Sequence, residues 1–334
     1  MKLLSKILVA TLCILCNSCL DIEEFKNTPE DNFRALWKVI DENYCFFEYK
    51  DIDWDQVYVD YSKQIKPDMS KDSLFYLMDE MLQELKDGHV NIVSAFDLGR
   101  YWKWFEDYED NYYQEIIDKY LGTDYQIAGG FRYKMLNDSI GYIRYADFSS
   151  SFSESNLDYI IKKFYHCAGI IIDVRNNGGG YLTNSERIAS RFFKEKTLVG
   201  YIQHKTGKGH NEFSKPHPMY IEPSNRLSYN KKVIVLTNRR CYSATNDFVN
   251  VMKYAPNALI IGDKTGGGSG LPFSSEIPNG WHVRFSACPM YNDQMEHLEF
   301  GITPDVFVRI TDIDIYKKRD TIIEKAISII KGDE

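Results

Sequence analysis

The chain has 334 residues, of which 44% are hydrophobic and 26% are charged. This composition and length suit a folded chain with a full α/β domain and a small additional domain. A net charge of -8, without a large Lys/Arg cluster, gives no general attraction to nucleic acid. We therefore expect no nucleic-acid partner.

The first residues combine a positively charged start with an apolar stretch at 7–16 that is too short to span a membrane. This pattern predicts a signal peptide over residues 1–18. Ser18 followed by Cys19 resembles a bacterial lipobox, and the acidic segment 20–24 resembles the export signal of surface lipoproteins in Bacteroidetes. The sequence thus predicts lipidation of Cys19 and an outer-membrane lipoprotein of the cell envelope, either periplasmic or surface-exposed.

Cysteine and histidine spacing gives no sign of a metal site. Four cysteines follow Cys19 at wide spacings without a C-x-x-C pair, and three histidines in the loop 203–230 match no ligand pattern. We expect neither a metal nor a cofactor. The four cysteines could form disulfides or remain buried thiols, and spacing alone leaves both open.

The first third of the chain reads as helical. Apolar residues recur at helical spacing over 30–44, 54–65 and 74–85, with Asp53 and Ser70 placed to cap the second and third helices. These segments predict an N-terminal helical domain over residues 19–92. Residues 93–138 are rich in Trp, Tyr and acidic residues and favour a helical insertion that packs aromatic side chains or lines a cleft.

From residue 139 onward strands and helices alternate, which predicts an α/β core over residues 139–334. Within it, an apolar run at 233–237 leads through a polar turn to Ser243, which opens a helical pattern. A serine there is either a helix cap or a nucleophile beside the positive end of the helix dipole. A second buried run at 169–172 leads into three glycines, 178–180, which form either a flexible turn or an anion-binding turn.

Four short blocks stand in one order along the chain: L-K-D-G-H at 85–89, I-I-I-D-V-R-N-N-G-G-G at 170–180, V-L-T-N with S-A within 235–244, and G-D-K-T-G-G-G with E-F-G-I-T-P-D within 262–305. Together they resemble the carboxyl-terminal processing, or tail-specific, family of serine peptidases, in its Bacteroidetes lipoprotein form. The resemblance implies a crotonase/ClpP-like core of layered β-sheet and helices. Only about 50 residues separate His89 from Gly141, so we expect no PDZ domain.

The resemblance implies a role for individual residues. Ser243 falls on the nucleophile, and the backbone N–H groups of Ala244 and Gly179 fall on the oxyanion hole. The lysine that serves as base in the processing branch falls on Gly268, so the Ser–Lys dyad is missing, and Lys264 is an alternative base four residues earlier.

The branch resembling tricorn protease uses a histidine and a glutamate instead. Those positions match His89 as general base and Glu299 as its acid partner, with Glu296 as the alternative. The serine that precedes the histidine in that branch is Gly88 here. An imidazole suits the task because its unperturbed pKa is ~6.5.

These assignments predict a cell-envelope serine endopeptidase that hydrolyses peptide bonds in peptides or unfolded proteins through an acyl-enzyme on Ser243. The alternative is a catalytically inactive peptide- or lipid-binding lipoprotein on the same fold.

Overall fold

The fold is that of a computed structural model, which describes residues 23–333; the signal peptide and Cys19 lie outside the described residues. The helices that it describes are α1 (Pro29–Asn43), α2 (Trp54–Ser62), α3 (Lys71–Gln83), α4 (Lys103–Glu106), α5 (Gln114–Leu121), α6 (Glu154–Phe164), α7 (Leu182–Ala189), α8 (Ala244–Met252), α9 (Asp312–Tyr316) and α10 (Thr321–Lys331). Two predicted caps are confirmed, since Asp53 accepts from the Gln56 N–H and Ser70 from the Ser73 N–H. None of the helices within residues 23–333 has the length and apolar character needed to cross a bilayer.

The strands of the described chain are β1 (Asn91–Val93), β2 (Leu98–Arg100), β3 (Gln126–Ala128), β4 (Phe131–Leu136), β5 (Ile140–Tyr145), β6 (Gly169–Asp173), β7 (Thr197–Ile202), β8 (His217–Ile221), β9 (Lys232–Thr237), β10 (Ala258–Gly262), β11 (Gly270–Glu276), β12 (His282–Tyr291) and β13 (Val306–Phe307). They form two sheets. One has the order β13-β10-β9-β6-β5-β4-β3, and the other has β2-β1-β12-β7-β8 with β11 also paired to β12.

The larger sheet brings two of the sequence blocks together. Strands β6 and β9 are parallel neighbours, with Asp173 opposite Leu236 at their carboxyl ends. Their apolar residues lie in the buried core, which is typical of a parallel sheet covered on both faces. The chain leaves β6 into the glycine turn and leaves β9 toward Ser243. Because both exits lie at one edge of the sheet, the turn and the serine meet there.

The N-terminal helices do not form a domain with a core of their own, which differs from the prediction. Leu36 of α1 and Phe75 of α3 share one buried cluster with Ile92 of β1 and with Val283 and Phe285 of β12. Each such side chain contributes about 1.5–3 kcal/mol when it is fully removed from water. The helical segment and the smaller sheet are therefore held together by a common core.

The predicted helical insertion over 93–138 is also corrected. It holds the short helices α4 and α5, but β2 joins the smaller sheet, and the β3–β4 hairpin extends the larger one. Along β4, buried Phe131 and Tyr133 flank exposed Arg132, the two-residue period of a strand. A composition rich in aromatic residues is compatible with a helix or a strand, and here the two-residue periodicity of burial is that of a strand. Strand β8 likewise lies within the segment that was expected to be a loop.

The remaining cysteines are buried free thiols at positions 45, 167, 241 and 288. This resolves the alternative that spacing had left open.

Candidate active site

Ser243 lies at the start of α8 but does not cap it. Its side chain accepts no hydrogen bond from the first turn of the helix, so the interpretation as a plain cap is wrong. The backbone is held at φ 57° and ψ -122°, a region that costs a non-glycine residue roughly 1–3 kcal/mol. The Ser243 N–H donates to the Gly267 carbonyl at 2.9 Å, and the Ser243 carbonyl accepts from the Asp247 N–H at 3.0 Å. These bonds hold the strained turn in place.

His89 is the partner of this serine. Its Nε2 lies 3.0 Å from the Ser243 Oγ, although the two residues are 154 positions apart. The imidazole is buried, and this burial lowers its pKa to about 4, against a smaller opposing effect of Asp87. The ring is therefore neutral near pH 7 and can accept the serine proton.

Asp87 fixes the segment that carries His89. Its carboxylate is fully buried and accepts hydrogen bonds from the His89 backbone N–H at 2.8 Å, the Tyr44 hydroxyl at 3.0 Å and the Ser286 hydroxyl at 2.9 Å. Burial opposes its ionisation, but the Lys50 charge and these hydrogen bonds lower the pKa overall. Asp87 is thus a buried anion next to His89. The Asp87 carboxylate accepts a hydrogen bond from the His89 backbone and not from its imidazole. The His89 Nδ1 is buried without a hydrogen-bond partner in the described residues.

Glu299 does not contact His89, which corrects the predicted acid partner. Its Oε1 accepts from the Lys50 ammonium at 2.8 Å, and its Oε2 accepts from the Ser269 N–H at 2.9 Å. Burial raises the pKa of Glu299 to about 7, and Asp87 adds to the rise while Lys50 opposes it. Glu299 therefore holds the loop after Gly267, the residue whose carbonyl accepts from Ser243.

Lys50 joins the two carboxylates. Its ammonium lies 2.8 Å from Glu299 and 3.5 Å from Asp87, and the three side chains are at most 4% exposed. It also donates to the carbonyls of Leu85 and Lys86 at 3.3 Å. One cation from the loop between α1 and α2 thus connects the segment of the base with the loop beside the nucleophile.

The alternative site residues lie elsewhere. Glu296 is on an exposed turn, where its carboxylate accepts from the Asn292 amide at 2.7 Å. Lys264 is exposed, and in the described chain its ammonium makes no hydrogen bond to Ser243. Desolvation and Arg239 lower the pKa of Lys264, but His89, not Lys264, is the residue within hydrogen-bond distance of the Ser243 Oγ in the described chain. At Gly268 the φ is +77°, and an added Cβ would lie 2.3 Å from the Tyr242 ring. Tyr242 fills the space that a lysine would need.

The two residues predicted for the oxyanion hole meet where the glycine turn contacts the start of α8. The Ala244 N–H is at the first helical position, where no intrahelical acceptor exists. Gly179 lies against it, since a Cβ built on Gly179 would be 3.0 Å from the Ala244 nitrogen. However, the Gly179 N–H donates to the Asn177 Oδ1 at 3.0 Å. Ala244 therefore has a free donor, whereas Gly179 must share or release its bond with Asn177 to serve as the second.

Asn177, Lys50 and Asp87 were missed by the sequence reasoning. Buried Asn177 donates to the Tyr145 carbonyl at 3.0 Å, and its own carbonyl accepts from Tyr242, so it ties the glycine turn to the serine turn. Asp87 could have been found, since it lies two residues before the candidate base. Lys50 gives no local signal, because nothing around it in sequence marks it as buried.

An aromatic wall covers the site. Trp104 of α4 stacks on Tyr242 with ring centroids 4.1 Å apart, and Tyr242 packs at 5.0 Å from the His89 ring. These rings contribute to the burial that keeps the imidazole neutral. The open side is a cleft of about 310 Å³ that is lined by Ser243 and His89, among other residues.

The pH dependence of any turnover should report the His89 environment. Because the folded-state pKa is about 4, kcat/KM should fall on acidification near pH 4, below the ~6.5 of an unperturbed imidazole. The pKa of His89 is lower in the folded protein than in the unfolded chain. The contribution of neutral His89 to stability is therefore present above pH ~6.5 and is lost as the pH falls through the folded-state pKa. Tryptophan fluorescence at each pH separates loss of folding from loss of activity. An acid limb at 6.5 in folded protein would contradict the buried, neutral base.

Gly179→Ala should lower kcat/KM by about 100-fold or more, because the added Cβ would push the backbone N–H away from the oxyanion and the loss of one such donor typically costs this much. The added Cβ would lie 2.8 Å from the Ser243 Cβ and would be strained at φ +107°. Gly178→Ala is the matched control, because a Cβ there meets nothing within 4 Å. Peptide hydrolysis and thermal melting of both variants provide the measurement. Equal activity of the two would remove Gly179 from the site.

A strained serine, a neutral imidazole within hydrogen-bond distance and a backbone N–H at a helix N-terminus are the groups that a serine hydrolase requires. Family comparison identifies the particular group. The family model described as peptidase family S41 matches residues 139–308, and the chain belongs to this family of serine-type peptidases. A second model, the tricorn protease C1 domain, matches residues 25–83.

Individual relatives agree with this family. A crystal structure from Parabacteroides merdae ATCC 43184, named only provisionally as a peptidase, is 57% identical over 91% of this chain and 97% of its own, with a TM-score of 0.88. The carboxyl-terminal-processing protease of Synechocystis sp. is 24% identical over 58% of this chain. Mature CPAF is 13% identical, covers 92% of this chain and 98% of its own with a TM-score of 0.69, and shows the fold alone. The predicted α/β class with layered sheets is confirmed.

The chain spans less than half of the length of the curated relatives that it matches: 44% of the Synechocystis protease and 22% of a Chlamydia trachomatis protein that is 30% identical over 132 residues.

Proposed function

We propose that this protein is a serine endopeptidase that hydrolyses peptide bonds in peptides or unfolded proteins through an acyl-enzyme on Ser243. The observation that carries the proposal is the 3.0 Å contact between the Ser243 Oγ and the Nε2 of a buried, neutral His89. Family membership supports the peptidase chemistry. The strained backbone of Ser243 supports a catalytic role, because strain of this kind concentrates at functional sites.

In the proposed reaction the Ser243 Oγ attacks the carbonyl carbon of the scissile bond while its proton moves to the His89 Nε2. The oxyanion that forms is stabilised by the Ala244 N–H and the positive end of α8. His89 then gives the proton to the amine as the C–N bond breaks, which leaves the acyl group on Ser243. A water molecule, deprotonated by neutral His89, hydrolyses the ester and restores the serine.

Labelling with a fluorophosphonate probe tests this function. The wild-type protein should be labelled, Ser243→Ala should not, and Ser151→Ala, which changes an exposed serine, should be labelled like the wild type. Labelling of all three proteins alike would place the reactive residue elsewhere. Absence of labelling in the wild type would favour the alternative, a catalytically inactive peptide- or lipid-binding lipoprotein.

We also propose that the protein is a lipoprotein of the cell envelope, held at the outer membrane by a lipid on Cys19. The lipobox-like segment supports this placement, although Cys19 lies outside the described residues. Mass spectrometry of detergent-extracted protein should find the mature chain beginning with a lipid-modified Cys19. A mature chain that begins at another residue would contradict the anchor.

A further inference from the structure

The cleft at Ser243 continues into a second cavity. The cleft of about 310 Å³ and a neighbouring cavity of about 330 Å³ are both lined by Leu182, Asp247 and Met290. These three residues therefore form the boundary between the two spaces. A substrate side chain that leaves the cleft in this direction must pass them.

Asp247 lies in the first turn of α8, four residues after Ser243, and both residues line the cleft. Its Oδ2 accepts from the Ser185 hydroxyl at 2.8 Å, and its Oδ1 makes no hydrogen bond in the described chain. Burial raises the pKa of Asp247 to about 6, and Glu186 adds to the rise. A carboxylate with one unused oxygen thus lies at the boundary, and a bound cation would favour its ionised form.

Apart from Arg284 in the cleft, the remaining lining residues suit a long cationic side chain. Apolar walls are provided by Leu182 and Met290 and, in the second cavity, by Val199, Met219, Ile221 and Val251. Glu186 is a second acid in that cavity, and none of the described residues that line it is Lys or Arg. Lysine and arginine side chains place a hydrocarbon stem against apolar surface and a charged end beyond it. A carboxylate beside the entrance to an apolar cavity, with a second acid inside that cavity, suits such a side chain.

We propose that Asp247 selects substrates with Lys or Arg immediately before the scissile bond. This inference rests on the proposed peptidase function and names the substrate class of the same site. Because the helix of Asp247 also carries the nucleophile and the Ala244 N–H, the passage that Asp247 lines opens beside the acyl carbon. The acyl-side residue of the substrate is therefore the one that enters. Glu186 adds negative potential at the far end.

The test is a set of fluorogenic peptides that differ only in the residue before the leaving group: Arg, Lys, Leu, Ala or Asp. Wild-type kcat/KM should be highest for Arg and Lys. Asp247→Asn should lower kcat/KM for these two by about 30-fold or more, the loss typical of removing one member of a buried charge pair. The Leu and Ala peptides should change by less than about threefold. The asparagine oxygen can still accept from Ser185, so thermal stability should be retained.

Glu296→Gln is the matched control, because Glu296 is an acid on an exposed turn away from Ser243. It should leave the whole peptide profile unchanged. Wild-type preference for Leu or Ala, or an equal loss on all peptides in Asp247→Asn, would overturn the inference while fluorophosphonate labelling of Ser243 still supported the peptidase. Absence of both labelling and turnover would contradict the peptidase function itself, and the inference would fall with it.

Discussion

His89→Ala is expected to lower kcat/KM by roughly 10⁴- to 10⁶-fold, and the double variant with Ser243→Ala is expected to be scarcely worse than Ser243→Ala alone. The reason is that nucleophile and base act as a unit. With the Nε2 at 3.0 Å from the Oγ, loss of either one removes the same proton transfer. Steady-state hydrolysis of one peptide by the two single variants and the double variant completes the measurement.

Lys264→Ala is the control for this cycle, since Lys264 is the alternative base four residues before the dyad position at Gly268. Its exposed ammonium has no hydrogen bond to Ser243 in the described chain, so its loss should change kcat/KM only a few-fold. A collapse of activity in folded Lys264→Ala, together with near-normal activity in His89→Ala, would transfer the role of base to the lysine.

Lys50→Met is expected to lower the free energy of unfolding by about 3–5 kcal/mol, the loss typical of removing one partner from a buried ion pair. The substitution keeps the length of the stem but removes the charge between Asp87 and Glu299, which are at most 4% exposed. Two carboxylates would then remain buried without their cation. Urea denaturation followed by tryptophan fluorescence measures the change.

Lys63→Met is the matched control for stability. Lys63 pairs with Asp60 at 3.4 Å, but its side chain is 66% exposed, and exposed pairs contribute only ~0–1 kcal/mol. Adding Glu299→Gln to Lys50→Met should recover part of the loss, because one uncompensated charge is removed. If Lys50→Met and Lys63→Met have the same free energy of unfolding, the buried charge cluster does not stabilise the fold.

Sequence was informative where the chemistry is local. The run before Ser243 and the glycine run after β6 each carry strand, turn and helix signals within a few residues, and the structure places both at one sheet edge. His89 was found because its short block accompanies the others. The fold class followed from the alternation of strands and helices, which needs no knowledge of distant contacts.

The partner of the base could not be found in this way. Glu299 occupies the place suggested by the related branch, yet its hydrogen bonds go to Lys50 and Ser269. Which buried carboxylate meets which donor depends on packing between segments that are far apart in the chain. For the same reason the sequence predicts a separate N-terminal domain, although the apolar faces of these helices pack on the smaller sheet.

Lys50, the buried cation from the loop between α1 and α2, also limits how far this chain could be shortened without loss of catalysis. The match to family S41 covers residues 139–308 and contains Ser243, but it contains neither His89 nor Lys50. A fragment cut at those limits would keep Ser243 while losing His89, the Lys50 ammonium and most of the apolar core that the helices share with the smaller sheet. The S41 match therefore begins at residue 139, whereas the side chains grouped around Ser243 begin some ninety positions earlier, with Lys50.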